Sequence, residues 1–256
     1  MKIQYISDIH SEFYKKSYEI KIPKLADILV LLGDIGKPRT EQYRRLIDAV
    51  SDIFDHVIVI SGNHEYYHGR ESFEKTRSYM HHFFEKYENV YFLDNESITI
   101  DGVLFIGSTL WTNIPKEKDF LFEEQMNDYK SISTKQINAP RMYKIRPEFT
   151  RTLHSIAYKY IEHQLKNNSA PTIILTHHIP INTKDFIPCA YKNNQLNAGY
   201  FSDCRKLIKS PVVAWMFGHC HTPITYDFDG IKLLSNPYGY PGENKTFEYR
   251  VFEFDS

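Results

Sequence analysis

The chain has 256 residues, 31 of them basic and 32 acidic, with a formal net charge of −1. That length holds one large α/β domain with a sizeable core, and the charge balance gives no bulk attraction to nucleic acid or an anionic membrane. Three widely spaced cysteines, Cys189, Cys204 and Cys220, form no paired motif and argue against a disulfide framework.

Residues 2–7 are an apolar run that reads as a first strand, with Asp8 and His10 just past it. Two apart on extended backbone, these side chains point the same way. Residues 26–32 read as a second strand, ending at Gly33-Asp34. Pro38 and Thr40 then open a helix whose apolar positions, from Tyr43 and Leu46 to Ile53 and Phe54, follow helical spacing. The β-branched run 56–61 is a third, buried strand that leads into Gly62-Asn63-His64-Glu65. A second helix is predicted over 72–87, with Phe73, Met80, Phe83 and Phe84 facing the core.

Short strands follow over 90–93 and 97–100, and Asp101-Gly102 is a hairpin turn into 103–106. Residues 111–147 show neither helical nor strand period and carry many rings and charges. A segment of that length in a compact domain is usually functional or mobile, so it is expected to cover the mouth of the site, with Trp111 as its selecting ring; the alternative is a surface insertion with one short helix. A helix over 148–165 turns Phe149, Leu153, Ile156, Tyr160 and Ile161 to one side. Residues 172–176 are a strand ending at His177-His178, and 184–200 an irregular loop. A short helix over 202–208 and a strand over 211–217 lead to Gly218-His219-Cys220-His221. Asp229-Gly230 marks a second hairpin, and 248–254 alternate as a closing edge strand. No apolar run approaches the ~18 residues that span a bilayer. Met1 runs directly into the first strand, so a cytoplasmic protein is expected.

Five polar clusters therefore follow five apolar runs. Ligands bind at the carboxyl ends of strands in open α/β sheets. Together the clusters offer carboxylates, an amide oxygen and imidazoles without thiolate, a set suited to Mn²⁺, Fe or Zn²⁺. The donors outnumber the needs of one ion and suit two ions ~3.5–4 Å apart.

The order Asp-x-His, Gly-Asp, Gly-Asn-His-Glu, His, Gly-His-x-His, over residues 3–221, resembles the calcineurin-like metallophosphoesterase family. The resemblance implies a four-layer α/β/β/α sandwich with two mixed sheets. It implies that Asp8, His10, Asp34 and His221 hold one metal ion, and Asp34, Asn63, His177 and His219 a second. Asp34 would bridge the two. His64 lies outside both sets, as the group that protonates the leaving alkoxide or contacts the phosphate. His178 is left as a neighbour of the ligands. Glu65 either orients a histidine or opens a helix. The activity implied is hydrolysis of a phosphoester, on a phosphorylated small molecule, by a hydroxide activated between two metals. The alternatives are a nuclease acting on DNA or RNA and a catalytically silent scaffold of the same fold.

Overall fold

The run Ile-Leu-Val-Leu-Leu at 28–32 is buried on both faces, as a central strand of a covered sheet must be. Runs of this kind build a chain of thirteen strands and five helices among the residues that the computed structural model describes, 1–15, 17, 19–67, 70–135, 140–182, 186 and 194–254. The strands are β1 (Lys2–Ile6), β2 (Ile28–Leu32), β3 (His56–Ile60), β4 (Val90–Phe92), β5 (Glu96–Ile100), β6 (Val103–Ser108), β7 (Ser133–Thr134), β8 (Tyr143–Lys144), β9 (Thr172–Thr176), β10 (Val212–Met216), β11 (Ile224–Phe228), β12 (Ile231–Ser235) and β13 (Arg250–Glu253). The helices are α1 (Glu41–Ser51), α2 (Phe73–Phe84), α3 (Asp119–Gln125), α4 (Asn127–Ser131) and α5 (Pro147–Lys166). Cys189 and most of the loop expected over 184–200 lie outside the described residues.

The first sheet has the order β13-β1-β2-β3-β4 and the second β11-β12-β10-β9-β6-β5. Both are mixed. In the first, only β13 runs antiparallel to its neighbour. In the second, the parallel centre β12-β10-β9-β6 is flanked by two antiparallel hairpins. Ile3, Val30 and Ile58 of one sheet pack with Phe105, Ile173 and Ala214 of the other. The outer face of the first sheet is covered by α1 and α2. The outer face of the second is covered by α5. The result is the expected sandwich of two sheets between helices. Among the described residues no helix is long and apolar enough to cross a membrane.

Three local expectations need correction. Helix α1 stops at Ser51, and Ile53 is 43% exposed. Helix α5 begins at Pro147, whose missing N–H suits the first turn. Its inward face is Thr150, His154, Ala157, Ile161 and Leu165, while Ile156 is 51% exposed. Apolar periodicity passes over this face because two of its members are polar. Thr150 accepts or donates against the Tyr129 hydroxyl, and His154 Nδ1 faces the carbonyl of Leu110. Lastly, the segment 111–147 is not patternless: α3, α4 and the β7–β8 pair form within it. Trp111 is buried against Tyr66, Phe73 and His178, away from the mouth it was expected to line.

Candidate metal centre

The loops after β1, β2, β3, β9 and β10 meet at one end of the paired sheets. They meet through their backbones first. The N–H of Asp8 donates to the carbonyl of Gly33, and that of His10 to the carbonyl of Asp34. Glu65 is the staple between the second and third loops. Its buried carboxylate accepts from the backbone N–H of Gly62 and Asp34 on one oxygen and of Ile35 on the other, at 2.7, 3.0 and 2.7 Å. Burial, then the nearby Asp34 charge, pushes the Glu65 pKa upward. The N–H donors act the other way and engage both oxygens, which is the environment of a carboxylate. Glu65 does stand in the first turn of a short 3-10 helix, His64–Tyr66, but its carboxylate is used to join the two loops. Loop approach is close enough that glycine is required: a Cβ on Gly62 would stand 2.1 Å from Asp34 Oδ1.

The expectation of extended backbone through Asp8 and His10 is overturned. Asp8, His10, Asp34, His219 and His221 have φ of 52°, 49°, 53°, 70° and 47°. Among the described residues ten non-glycine residues are left-handed, and these are half of them. Such backbone costs of order 1–3 kcal/mol per residue and collects at functional sites. Here it folds each side chain back toward a common point.

Two donor groups result. In the first, His221 Nε2 lies 3.5 Å from Asp8 Oδ1 and 3.1 Å from His10 Nε2. His221 Nδ1 donates to Glu243 Oε2 at 2.7 Å, so the lone pair of a neutral ring is on Nε2. In the second, His177 Nε2 lies 3.4 Å from Asp34 Oδ2, 3.1 Å from Asn63 Oδ1 and 3.1 Å from His219 Nδ1. His177 Nδ1 donates to the carbonyl of Leu32 at 2.9 Å. The Asn63 amide nitrogen is spent on Asp128 and Tyr67, which turns its oxygen inward. A lone pair and two oxygens thus face one another in a buried place. Only a positive charge reconciles them. A proton on His177 does so: burial opposes it, but the Asp34 charge raises that pKa to about 10. A divalent ion does so equally, and the nitrogen-oxygen set fits one. Asp34 reaches both groups, since His10 Nε2 is 3.9 Å from its Oδ2. The ligating atoms of Asp8, His10 and His221, and those of Asp34, His177 and His219, each lie within 4.8 Å of one another.

His64 stands at the rim. Its Nδ1 is 3.1 Å from Glu12 Oε1 and its ring stacks on Tyr67 at 4.2 Å. Burial works against its charge, yet Asp34 and then Glu12 raise its pKa to about 9. Its ligating atom is also within 4.8 Å of those of His10 and Asp34. His178 donates Nδ1 to the carbonyl of Thr109. Burial first, and then His177, lowers its pKa to about 3, so its ring is neutral. Cys220 turns away from its histidine neighbours, its Sγ facing the carbonyl of Thr222 at 3.2 Å. Beside the donors a cavity of about 490 Å³ is lined by Asn63, His64, Asp128, His219, Tyr240 and others.

Sequence reasoning missed Glu12, Asp128, Tyr67, Tyr240 and Glu243. Tyr240 stacks on His10 at 4.3 Å. Glu12 was findable, two residues past His10. Asp128 and Glu243 come from segments with no period to mark them.

Residues 1–223 match the model of the calcineurin-like phosphoesterases. The chain is 32% identical over 273 aligned positions to an uncharacterised protein of Acanthamoeba polyphaga mimivirus, covering 99% of this chain and 96% of that protein. Its fold is similar to that of phosphopantetheinyl hydrolase from Mycobacterium tuberculosis. The TM-score is 0.67 at 18% identity, covering 95% of this chain and 91% of that one. A Thermus thermophilus protein is similar at a TM-score of 0.53 and 10% identity, covering 92% and 88%.

Proposed function

Because the chain belongs to the calcineurin-like phosphoesterase family, we propose that it hydrolyses phosphoesters, of diester or monoester type, at a centre of two divalent metal ions. The observation that carries this reading is the inward-facing set of acceptors, with Asp34 common to both groups. Asp8, His10, Asp34 and His221 would hold one ion, and Asp34, Asn63, His177 and His219 the other. When bound, such a pair supplies Lewis acidity toward a phosphoryl group and a water made more acidic.

The chain's own residues do the rest. His64, its Nδ1 held by Glu12, presents its ring at the edge of the cavity as a proton donor. It gives its proton to the departing alkoxide as the ester bond breaks. Tyr67 holds the ring of His64 in place by stacking. The left-handed backbone of the ligand loops fixes the donors before substrate arrives, so little reorganisation is needed. Gln125, Asn127 and Leu196 also line the cavity, where the alcohol portion of the ester would lie. Free Cys204 and Cys220 suit a reducing compartment such as the cytoplasm.

The test is hydrolysis by purified protein with Mn²⁺ of a panel of phosphomonoesters, phosphodiesters, cyclic nucleotides and oligonucleotides. The reading expects turnover of at least one small ester, lost on chelation. Turnover of oligonucleotides alone would favour a nuclease. No turnover of any ester by metal-loaded protein would favour a silent scaffold.

A further inference from the structure

Asp128 lies on α4, 65 residues from Asn63 in sequence, and the residue is 2% exposed. Among the described residues it has no lysine or arginine partner. Burying a carboxylate in this way is costly, so the hydrogen bonds it makes are what account for it. Its Oδ1 accepts from the amide nitrogen of Asn63 at 2.8 Å and from the hydroxyl of Tyr67. The same amide nitrogen donates to the Tyr67 oxygen at 3.1 Å, closing a ring of three. A carboxamide has one donor end and one acceptor end. With the nitrogen fixed on Asp128, the Asn63 oxygen must face His177 Nε2, where it lies at 3.1 Å.

We infer that Asp128 is a positioning residue that fixes the Asn63 amide with its oxygen toward the second metal position. The inference rests on the metal reading above. It gives the segment 111–147 a role in building the centre as well as in lining the cavity. It also explains why Asn63, which carries no charge, is placed reliably: rotation of its amide by half a turn would set its NH₂ against a ligand nitrogen and break its bonds to Asp128 and Tyr67.

The test is calorimetric titration of Mn²⁺ into metal-stripped, full-length protein. Wild type should bind two ions. Asp128→Ala should weaken one of them about 10–100-fold, the usual effect of removing a group that orients a ligand, and leave the other within about threefold. Asp128→Asn retains an acceptor oxygen and should bind both ions nearly as wild type does. Tyr67→Phe, which leaves the Asp128–Asn63 bond intact, should have a small effect. Asn63→Ala should weaken the same ion, and adding Asp128→Ala to it should cost nothing further. Where Asp128→Ala does not fold, as judged by the melting of metal-free protein, Asp128→Ser, too short to reach Asn63, replaces it. Unchanged affinities in Asp128→Ala would overturn the inference. So would equal weakening of both ions, or an Asp128→Asn variant as weak as Asp128→Ala, which would make charge the agent. A wild type that binds no Mn²⁺ would overturn the metal reading itself, and this inference with it.

Discussion

At the scale of single residues, adjacent side chains in the ligand loops have separate duties. Asn63 and His64 are neighbours, yet one is tied to α4 and His177 and the other to Glu12 and Tyr67. The sequence motif identifies both and is silent on which way each turns. That depends on partners far along the chain. If His64 delivers a proton, His64→Ala should lower turnover by about 10²–10⁴-fold while metal content stays the same. The loss should grow with the pKa of the leaving alcohol and shrink for nitrophenyl esters, whose leaving group hardly needs a proton. Rates of the variant across a leaving-group series, with metal analysis of the same samples, check this; a flat series would leave only electrostatic contact with the phosphate. Cys220 gives the opposite case. An alternating backbone would turn it away from its histidine neighbours, but the backbone at 219–221 does not alternate. The thiol nevertheless faces Thr222 and Ser235. Cys220→Ser should therefore keep its metal content and most of its activity; loss of one equivalent by elemental analysis would contradict that.

At the scale of elements, the strands that lead to the site were legible because each is a short apolar run ended by a polar cluster. The turns after them were less legible. Their conformation is imposed by neighbouring loops, through bonds such as Asp8 to Gly33 and His10 to Asp34. Helix α5 was located by its period, but its inward face was misread because Thr150 and His154 are buried there with hydrogen-bond partners. Glu65 shows how the elements are joined. A carboxylate spanning two loops cannot be recognised from its place after His64, since its partners are backbone groups of residues 34–36 and 62. Glu65→Gln would set an NH₂ group against those N–H donors. The cost of spoiling charge-assisted bonds in a buried site is about 1.5–3 kcal/mol. At this chain length that lowers the melting temperature by roughly 3–12 °C. Thermal unfolding of the metal-free variant is the measurement, and an unchanged melting temperature would deny Glu65 its place between the loops.

At the scale of the whole molecule, two sheets pack face to face so that strand ends from both bring donors to one rim. β1, β2 and β3 of the first sheet contribute Asp8, His10, Asp34 and Asn63; β9 and β10 of the second contribute His177, His219 and His221. The chain order of the motifs made this convergence readable. The segments that complete the site were not, because Asp128, on the short helix α4, and Glu243, between β12 and β13, come from stretches whose sequences carry no repeating pattern. The division of labour has a direct consequence. If the proposed two-ion centre is shared between the sheets through Asp34, it should work only when both halves are filled. Metal-stripped protein should therefore be inactive on an activated phosphodiester, and activity restored by stepwise addition of Mn²⁺ should rise until two equivalents are bound and then level off. Full activity in the stripped protein, or a plateau at one equivalent, would contradict the two-ion centre.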